Sequence, residues 1–359
     1  TVAEGLWYPI WDHGEKLGHS VRTLDETLDL ASSDLDTATS LLSCRHIGGS
    51  KELADELSSL ALSQWKNKAR NWLPKLATSI QQRHRAKGEV AFMLEPELKE
   101  GRGGLRDVHA MGWANLSGQG PLEVEHHQLL ECYEVILRAR VELHRKSNRA
   151  SNKLLLEQQD AVSEALGYED ADFLMADVAS SARRIAWNID ELCYVIQNAG
   201  LFRLWNFSKK VGDTITRKRK PMSKTFDNES DLSAEKVLRV ALRTAKNKER
   251  FNPELISKLR QTELDIPEPW TSEIRSLFVD LLLTGHDAIP VIETLDQLDL
   301  FVPFLPEWEP ARSKPQRNAY HRFTVDRHLL ETAAEAAKLA DRVERPDLLV
   351  IGALLHDIG

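Results

Sequence analysis

Apolar residues return every three or four positions along two long stretches of the chain. Leu129, Cys132, Tyr133, Ile136, Leu137 and Leu143 form one series; Val178, Ala182, Ile185, Ile189, Leu192 and Ile196 form the other. A helix of 3.6 residues per turn gathers each series on one side, so both stretches predict helices that bury a single stripe against neighbours. Further amphipathic helices are predicted over Ala234–Lys246 and Trp270–Leu283. Near the start the periods are shorter. Leu6–Ile10 is apolar and aromatic, and Gly18–Arg22 reads as a short strand. Thr23 with Glu26 three positions on makes a capping box that opens a helix, and the apolar run Ser40–Ile47, closed by Gly48-Gly49, reads as a second strand. Strand, helix and strand within fifty residues predict the end of a small α/β unit. At the far end, Leu329, Ala333, Ala336, Leu339 and Val343 mark one helix, and Pro346-Asp347 open another that runs through LLVIGALLHDIG.

Length and composition limit what such a chain can be. At 359 residues it exceeds one ordinary domain, and 42% apolar content allows a sizeable core. A formal charge of -8 argues against binding nucleic acid over the whole surface. No apolar run approaches the roughly 20 residues that cross a bilayer, and no signal-peptide pattern opens the chain, so a cytoplasmic location is expected. Cys44, Cys132 and Cys193 are widely spaced in apolar surroundings and are read as buried free thiols. The chain starts at Thr1 and stops just after an apolar helix, so it is expected to be a fragment of a longer protein.

Three groups of residues carry candidate chemistry. Glu95–Trp113 places Gly101, Gly103 and Gly104 in four positions, among Lys99, Arg102 and Arg106. Such a turn suits a phosphate, because glycine lets backbone approach an anion closely and the cations neutralise it; its plain alternative is a loop leading into a helix. Asp107 is expected to pair locally with Arg106. His328 on one C-terminal helix and His356-Asp357 at the end of the next could converge on a divalent ion if the two helices pack side by side. His321 reads as a supporting or substrate-facing group or, more plainly, as a satisfied structural histidine. Arg138, Arg140, Arg145 and Lys146 read as a solvated face, or as the wall of a phosphate-binding cleft. The cluster Lys209-Lys210 and Arg217–Lys220, lacking interleaved aromatics, reads as a linker rather than a nucleic-acid site. Asp34 and Asp36 read as polar residues of a helix and its C-terminal loop.

These stretches carry a resemblance. PELKEGRGGLRDVHAMGW resembles the KEGxGGLRDhxxxxW signature of the bifunctional enzymes that attach nucleotides to the PII nitrogen-regulatory proteins and remove them. WDHGEKLGHSVRT with TSLLSCR resembles the second half of that family's nucleotidyltransferase domain. RVELHRKSNRASNKLLLEQQDAVSEALGY resembles its helical region, GHDAIPVIETLDQLDLFVPFLPEWE its lead into the hydrolase domain, and PQRNAYHRFTVDRH the opening of its HD-type phosphohydrolase domain. The matches span most of the chain in the family's order.

The resemblance implies a mainly α fold: the C-terminal part of a small α/β nucleotidyltransferase domain over 1–50, a helical domain over 51–206, a helical linker region over 207–310, and the start of an α-helical HD domain over 311–359. It implies a nucleotide donor, UTP or ATP, at the turn of Lys99, Arg102, Gly103, Gly104 and Arg106. It also implies Mg²⁺ or Mn²⁺ at His328, His356 and Asp357, with His356 and Asp357 catalytic. PII would be the partner and glutamine the effector of the full-length enzyme; neither a membrane nor a nucleic acid is expected. Whether UMP or AMP is transferred stays open. In the family the Gly-Ser loop and the Asp-x-Asp pair come from sequence upstream of the part that these residues resemble; Asp34 and Asp36 could be mistaken for that pair, and Ser43-Cys44 stand where a carboxylate is expected before Arg45. The chain alone is therefore expected not to transfer nucleotides, and its HD site to be incomplete and weak. The rival readings are a free-standing HD nucleotide phosphohydrolase and a non-enzymatic helical scaffold.

Overall fold

The computed structural model describes residues 2–14, 17–118, 126–210, 232–316 and 323–358. His321 and Arg217–Lys220 lie outside these residues, as do the side chains of Lys209 and Lys210. Among the described residues the secondary structure is helical, with two isolated bridges and no strand. In chain order the helices are α1 (Val2–Asp12), α2 (Leu24–Ala31), α3 (Leu35–Leu41), α4 (Lys51–Asn67), α5 (Ala69–Lys87), α6 (Leu105–Leu116), α7 (His126–Ser147), α8 (Leu156–Leu166), α9 (Ala171–Lys210), α10 (Ala234–Lys246), α11 (Pro253–Leu259), α12 (Ser272–Leu282), α13 (Ile289–Gln297), α14 (Val325–Ala337) and α15 (Pro346–Leu355). None is long and apolar enough to cross a membrane.

The chain divides into two compact units. The first comprises Thr1–Gln81, His109–Leu122 and Leu192–Ala199. The expected capping box starts α2: the Thr23 hydroxyl accepts from the Glu26 amide while the Glu26 carboxylate accepts from the Thr23 amide, satisfying two orphan donors of the first turn. The two expected strands do not form. Gly18–Arg22 is neither helix nor strand, and of the expected strand Ser40–Ile47 the first two residues end helix α3, which Asp34 caps by accepting from the Thr37 amide, while the rest is turn and loop. Asp34 thus begins a helix, where a C-terminal loop was expected. A short apolar run does not distinguish strand from helix, and here the cap and the contacts of α3 with α2 and α4 carry the helix as far as Leu41. Cys44 is exposed in the loop after α3, unlike buried Cys132 and Cys193. The core of this unit stacks Trp65 on Trp72 at 5.9 Å between centroids, and the Trp65 indole donates to the Trp113 carbonyl at 2.9 Å, so a large apolar body is buried with its one polar atom satisfied.

The second unit comprises Gln82–Val108, Glu123–Glu191 and Gly200–Gly359. Helix α10 follows the sequence expectation to the residue. Val237, Leu238, Ala241, Leu242 and Ala245 are buried, whereas Arg239, Arg243 and Lys246 face water. It packs on α12, and an aromatic group of Phe278, Phe301 and Trp308 fills the space beside it. Helix α14 packs along α15; Leu329, Leu330, Val350 and Leu354, each at most 4% exposed, form the seam, and each contributes about 1.5–3 kcal/mol by leaving water.

Inside this apolar unit sits a charged cluster around Arg183. The Arg183 guanidinium, 7% exposed, donates to Asp296 at 2.5 Å, to Asp326 at 2.8 Å and to the Ser313 hydroxyl at 3.3 Å. Burial pushes the Asp296 carboxyl up, opposed by Arg183 and Arg312, and the Trp308 indole donates to it at 3.1 Å. Removing the shared cation leaves two buried carboxylates short of a partner, which typically costs about 3–5 kcal/mol. Arg183→Met is expected to lower unfolding stability by about that amount, read from the midpoint of urea denaturation followed by circular dichroism. A loss below about 1 kcal/mol would show that the cluster is not essential to this unit.

Candidate functional site: the helix ends at His328 and His356

His328 lies in the first turn of α14 and His356 directly follows α15. Because the two helices pack with the start of one beside the end of the other, the imidazoles meet: their Nε2 atoms are 3.3 Å apart and their ring centroids 5.2 Å. A carboxylate oxygen of Asp357 completes a group whose ligand atoms all lie within 4.8 Å of one another. His328 is half-buried, whereas His356 and Asp357 are exposed.

The local bonds prepare these atoms. His356 Nδ1 contacts the Ala353 carbonyl at 2.8 Å; a carbonyl only accepts, so Nδ1 carries the hydrogen and Nε2 presents its lone pair. Gln316 Nε2 donates to Asp357 Oδ2 at 3.3 Å. At the other helix, Asp326 binds Arg183 and the Ser313 amide with Oδ2, and the Arg327 amide with Oδ1. Arg327 bridges Glu293 at 2.7 Å and Glu331 at 2.8 Å, with its guanidinium 4.8 Å from the Phe92 ring centre. The turn that carries His328 is thus held from both sides. Two nitrogen donors on one cation at about 2.1 Å and near-tetrahedral angles stand about 3.3–3.4 Å apart, so the observed spacing and the mixed imidazole and carboxylate set fit a divalent metal.

The residues of the Gly-rich turn are distributed differently. Gly103 has φ +85°, and a β-carbon there would sit 2.3 Å from the Ala182 carbonyl oxygen; one on Gly104 would meet three backbone oxygens within 3 Å. The Gly103 amide donates to Asp107 at 2.7 Å and the Gly104 amide to the Gly101 carbonyl at 2.9 Å. Arg102 binds Asp190 at 2.8 Å and Glu89 at 3.3 Å, whereas Lys99 and Arg106 share Glu100. Gly103 lets the turn approach α9 and Gly104 lets the turn fold on its own carbonyls, and the donors named here are engaged inside the chain. Asp107, expected to pair with Arg106, is fully buried and accepts instead from Arg83 at 2.5 Å and His84 at 2.9 Å, since neighbouring positions on a helix point apart. Of the α7 cations, Arg138, Arg145 and Lys146 are exposed, and half-buried Arg140 donates to Asn152.

Gln316, Asp326, Arg327, Arg183 and Asp296 were not singled out from the sequence as supports of the site. A signal existed for one of them: Ala179, Arg183 and Ala186 follow a helical stripe, and a charge in an apolar stripe is buried with partners.

These two helix ends, with two histidines and an aspartate brought together, lie at the start of a helical HD domain, whose profile matches residues 325–359. The profile described as GlnD PII-uridylyltransferase matches residues 73–193. Over its whole length the chain is 38% identical to a bifunctional uridylyltransferase/uridylyl-removing enzyme of Mycobacterium tuberculosis, covering 46% of that protein. It is 36% identical to one of Streptomyces coelicolor, covering 45% of it, and 31% identical to one of Corynebacterium glutamicum, with 99% of the chain and 51% of the relative aligned. No solved structure matches. The chain is a relative of the bifunctional uridylyltransferase/uridylyl-removing enzymes, and it spans about half the length of the curated relatives it matches.

Gly103→Ala is expected to destabilise by more than the about 1–2 kcal/mol of left-handed backbone alone, because the Ala182 carbonyl blocks the added methyl. Gly49→Ala, at φ +81° with nothing within 4 Å, measures the backbone cost by itself. Equal losses in thermal denaturation would show that close approach does not explain Gly103.

Proposed function

We propose that the chain supplies the helical and hydrolase-side regions of an enzyme that attaches a uridylyl group to PII and removes it, acting in the cytoplasm with glutamine as effector of the whole protein. The observation that carries this reading is the 3.3 Å approach of His328 and His356 beside Asp357, within the residues matched by the HD profile. The names of the relatives favour UMP over AMP.

In this reading His328, His356 and Asp357 hold a divalent ion such as Mg²⁺ or Mn²⁺. When bound, such an ion polarises a phosphodiester and activates water near neutral pH. The chain's residues keep the donor atoms ready. Ala353 fixes the tautomer of His356, Gln316 orients the Asp357 carboxylate, and Asp326 with Arg327 sets the turn that bears His328. The exposure of His356 and Asp357 leaves the site open to a protein-borne substrate. The Gly-rich turn enters as scaffold, since its donors are engaged by Asp107, Glu100 and Asp190.

Mn²⁺ binding, followed by paramagnetic relaxation of water protons, is expected in the wild-type chain and to weaken at least about 10-fold in His328→Ala and in Asp357→Asn. Unchanged Mn²⁺ affinity in both variants, with unchanged circular dichroism, would remove these residues from the site. Release of UMP from uridylylated PII, set against hydrolysis of free nucleotides, separates this reading from a free-standing nucleotide phosphohydrolase.

A further inference from the structure

A cavity of about 100 Å³ lies within the second unit, walled by Trp187 and Glu191 of α9, Arg250 and Phe251 of the loop from α10 to α11, and Val291 and Thr294 of α13. Most charges around it are already neutralised. Arg102 is bound to Asp190 at 2.8 Å, Arg183 to Asp296 and Asp326, and Glu293 to Arg327 at 2.7 Å.

Glu191 is different. It is 9% exposed, yet its carboxylate has no hydrogen bond or ion pair among the described residues. Burial pushes its carboxyl up and neighbouring Asp190 adds to the shift, opposed by Arg250 and Arg260 acting from beyond contact. A carboxylate at this depth is poorly hydrated and has no donor among the described residues, so an amide there would leave the free protein no less stable. Arg250, whose side chain is half exposed, reaches Asp190 alone among the described residues, at 3.3 Å, an acceptor Arg102 already holds more closely. The cavity therefore offers an unmatched acceptor inside and a cation with donors to spare beside it.

We propose that this cavity binds a small molecule carrying a protonated primary amine, with the ammonium seated on Glu191. An ammonium brings three donors and one positive charge, which supplies what Glu191 lacks. Apolar Trp187, Phe251 and Val291 accommodate a short aliphatic body, and Arg250 is placed to take a carboxylate where the ligand has one. The inference uses none of the metal-site residues and stands or falls separately from the proposed hydrolase.

The test is ligand-observed saturation-transfer NMR on the whole chain with two panels, free α-amino acids and n-alkylamines of matching length, each at about 10 mM, which detects dissociation constants on the order of 1 mM. Binding is expected, and Glu191→Gln, which keeps the side chain's shape, is expected to weaken it at least about 10-fold. The variant should melt no lower than wild type, since it removes an unpaired buried charge. Tighter binding of the amino acids, with that preference lost in Arg250→Ala, identifies a zwitterionic ligand; equal binding of both panels identifies a simple amine. Absence of saturation transfer from either panel, binding undiminished by Glu191→Gln, or equal binding of carboxylic acids without an amine overturns the proposal.

Discussion

The second unit is organised around one buried cation. Arg183 projects from α9 into an apolar interior and there joins Asp296 of α13, Asp326 of α14 and Ser313 of the segment before α14. An isolated ion in such surroundings is unfavourable by several kcal/mol, so the guanidinium imposes a geometric demand: both carboxylates must arrive together. The fork of Arg, with five donors in a plane, meets that demand where a Lys ammonium would not hold the same angles. Asp326 then passes the constraint along the chain. It lies two residues before His328 and fixes the first turn of α14 through the Arg327 amide and the Ser313 amide. The site at the helix ends thus inherits its geometry from a contact buried in the core.

A second set of charges serves the Gly-rich turn by the same logic. Asp107, with no exposed surface, collects Arg83, His84 and the Gly103 amide, so the carboxylate holds the turn where a phosphate would otherwise have to. From sequence, glycines among cations point equally to an anion cradle and to a tight crossing. What separates the two is where the amides point and what stands over the α-carbons, and both are properties of residues far along the chain. Ala182, whose carbonyl lies over Gly103, carries no signal that a sequence pattern could use.

The parts legible in the sequence were those governed by local physics. The capping box at Thr23, the limits of α10 and the packing of α14 on α15 each follow from periodicity and cap chemistry within a few residues. His328 and His356 were legible for the same reason, since two apolar stripes of matching length imply neighbouring helices and bring the following residues together. The two short segments near the start misled because so few residues carry too little periodicity to separate strand from helix or loop, and at the second, Ser40–Ile47, Asp34 starts helix α3 that runs into its first residues. Cys44 misled for the opposite reason: its apolar neighbours belong to α3, while the thiol itself falls in the loop beyond the helix end.

The distribution of charge in this unit also sets scaffold apart from site. Arg183, Arg102 and Arg327 each face two acidic partners, and each joint is closed by direct bonds. Groups arranged in this way have little free energy to gain from a ligand, because binding one would first break an existing pair in low dielectric. His356, Asp357 and Glu191 have the opposite character: the first two present acceptor atoms toward open solvent, and the third presents one toward a cavity. Acceptors outside such closed joints have more free energy to gain from a ligand, because binding one breaks no buried ion pair. The rigid joints and the unmatched acceptors are then two consequences of one arrangement, since an acceptor can stay unpaired only where its surroundings are held firmly enough not to collapse onto it.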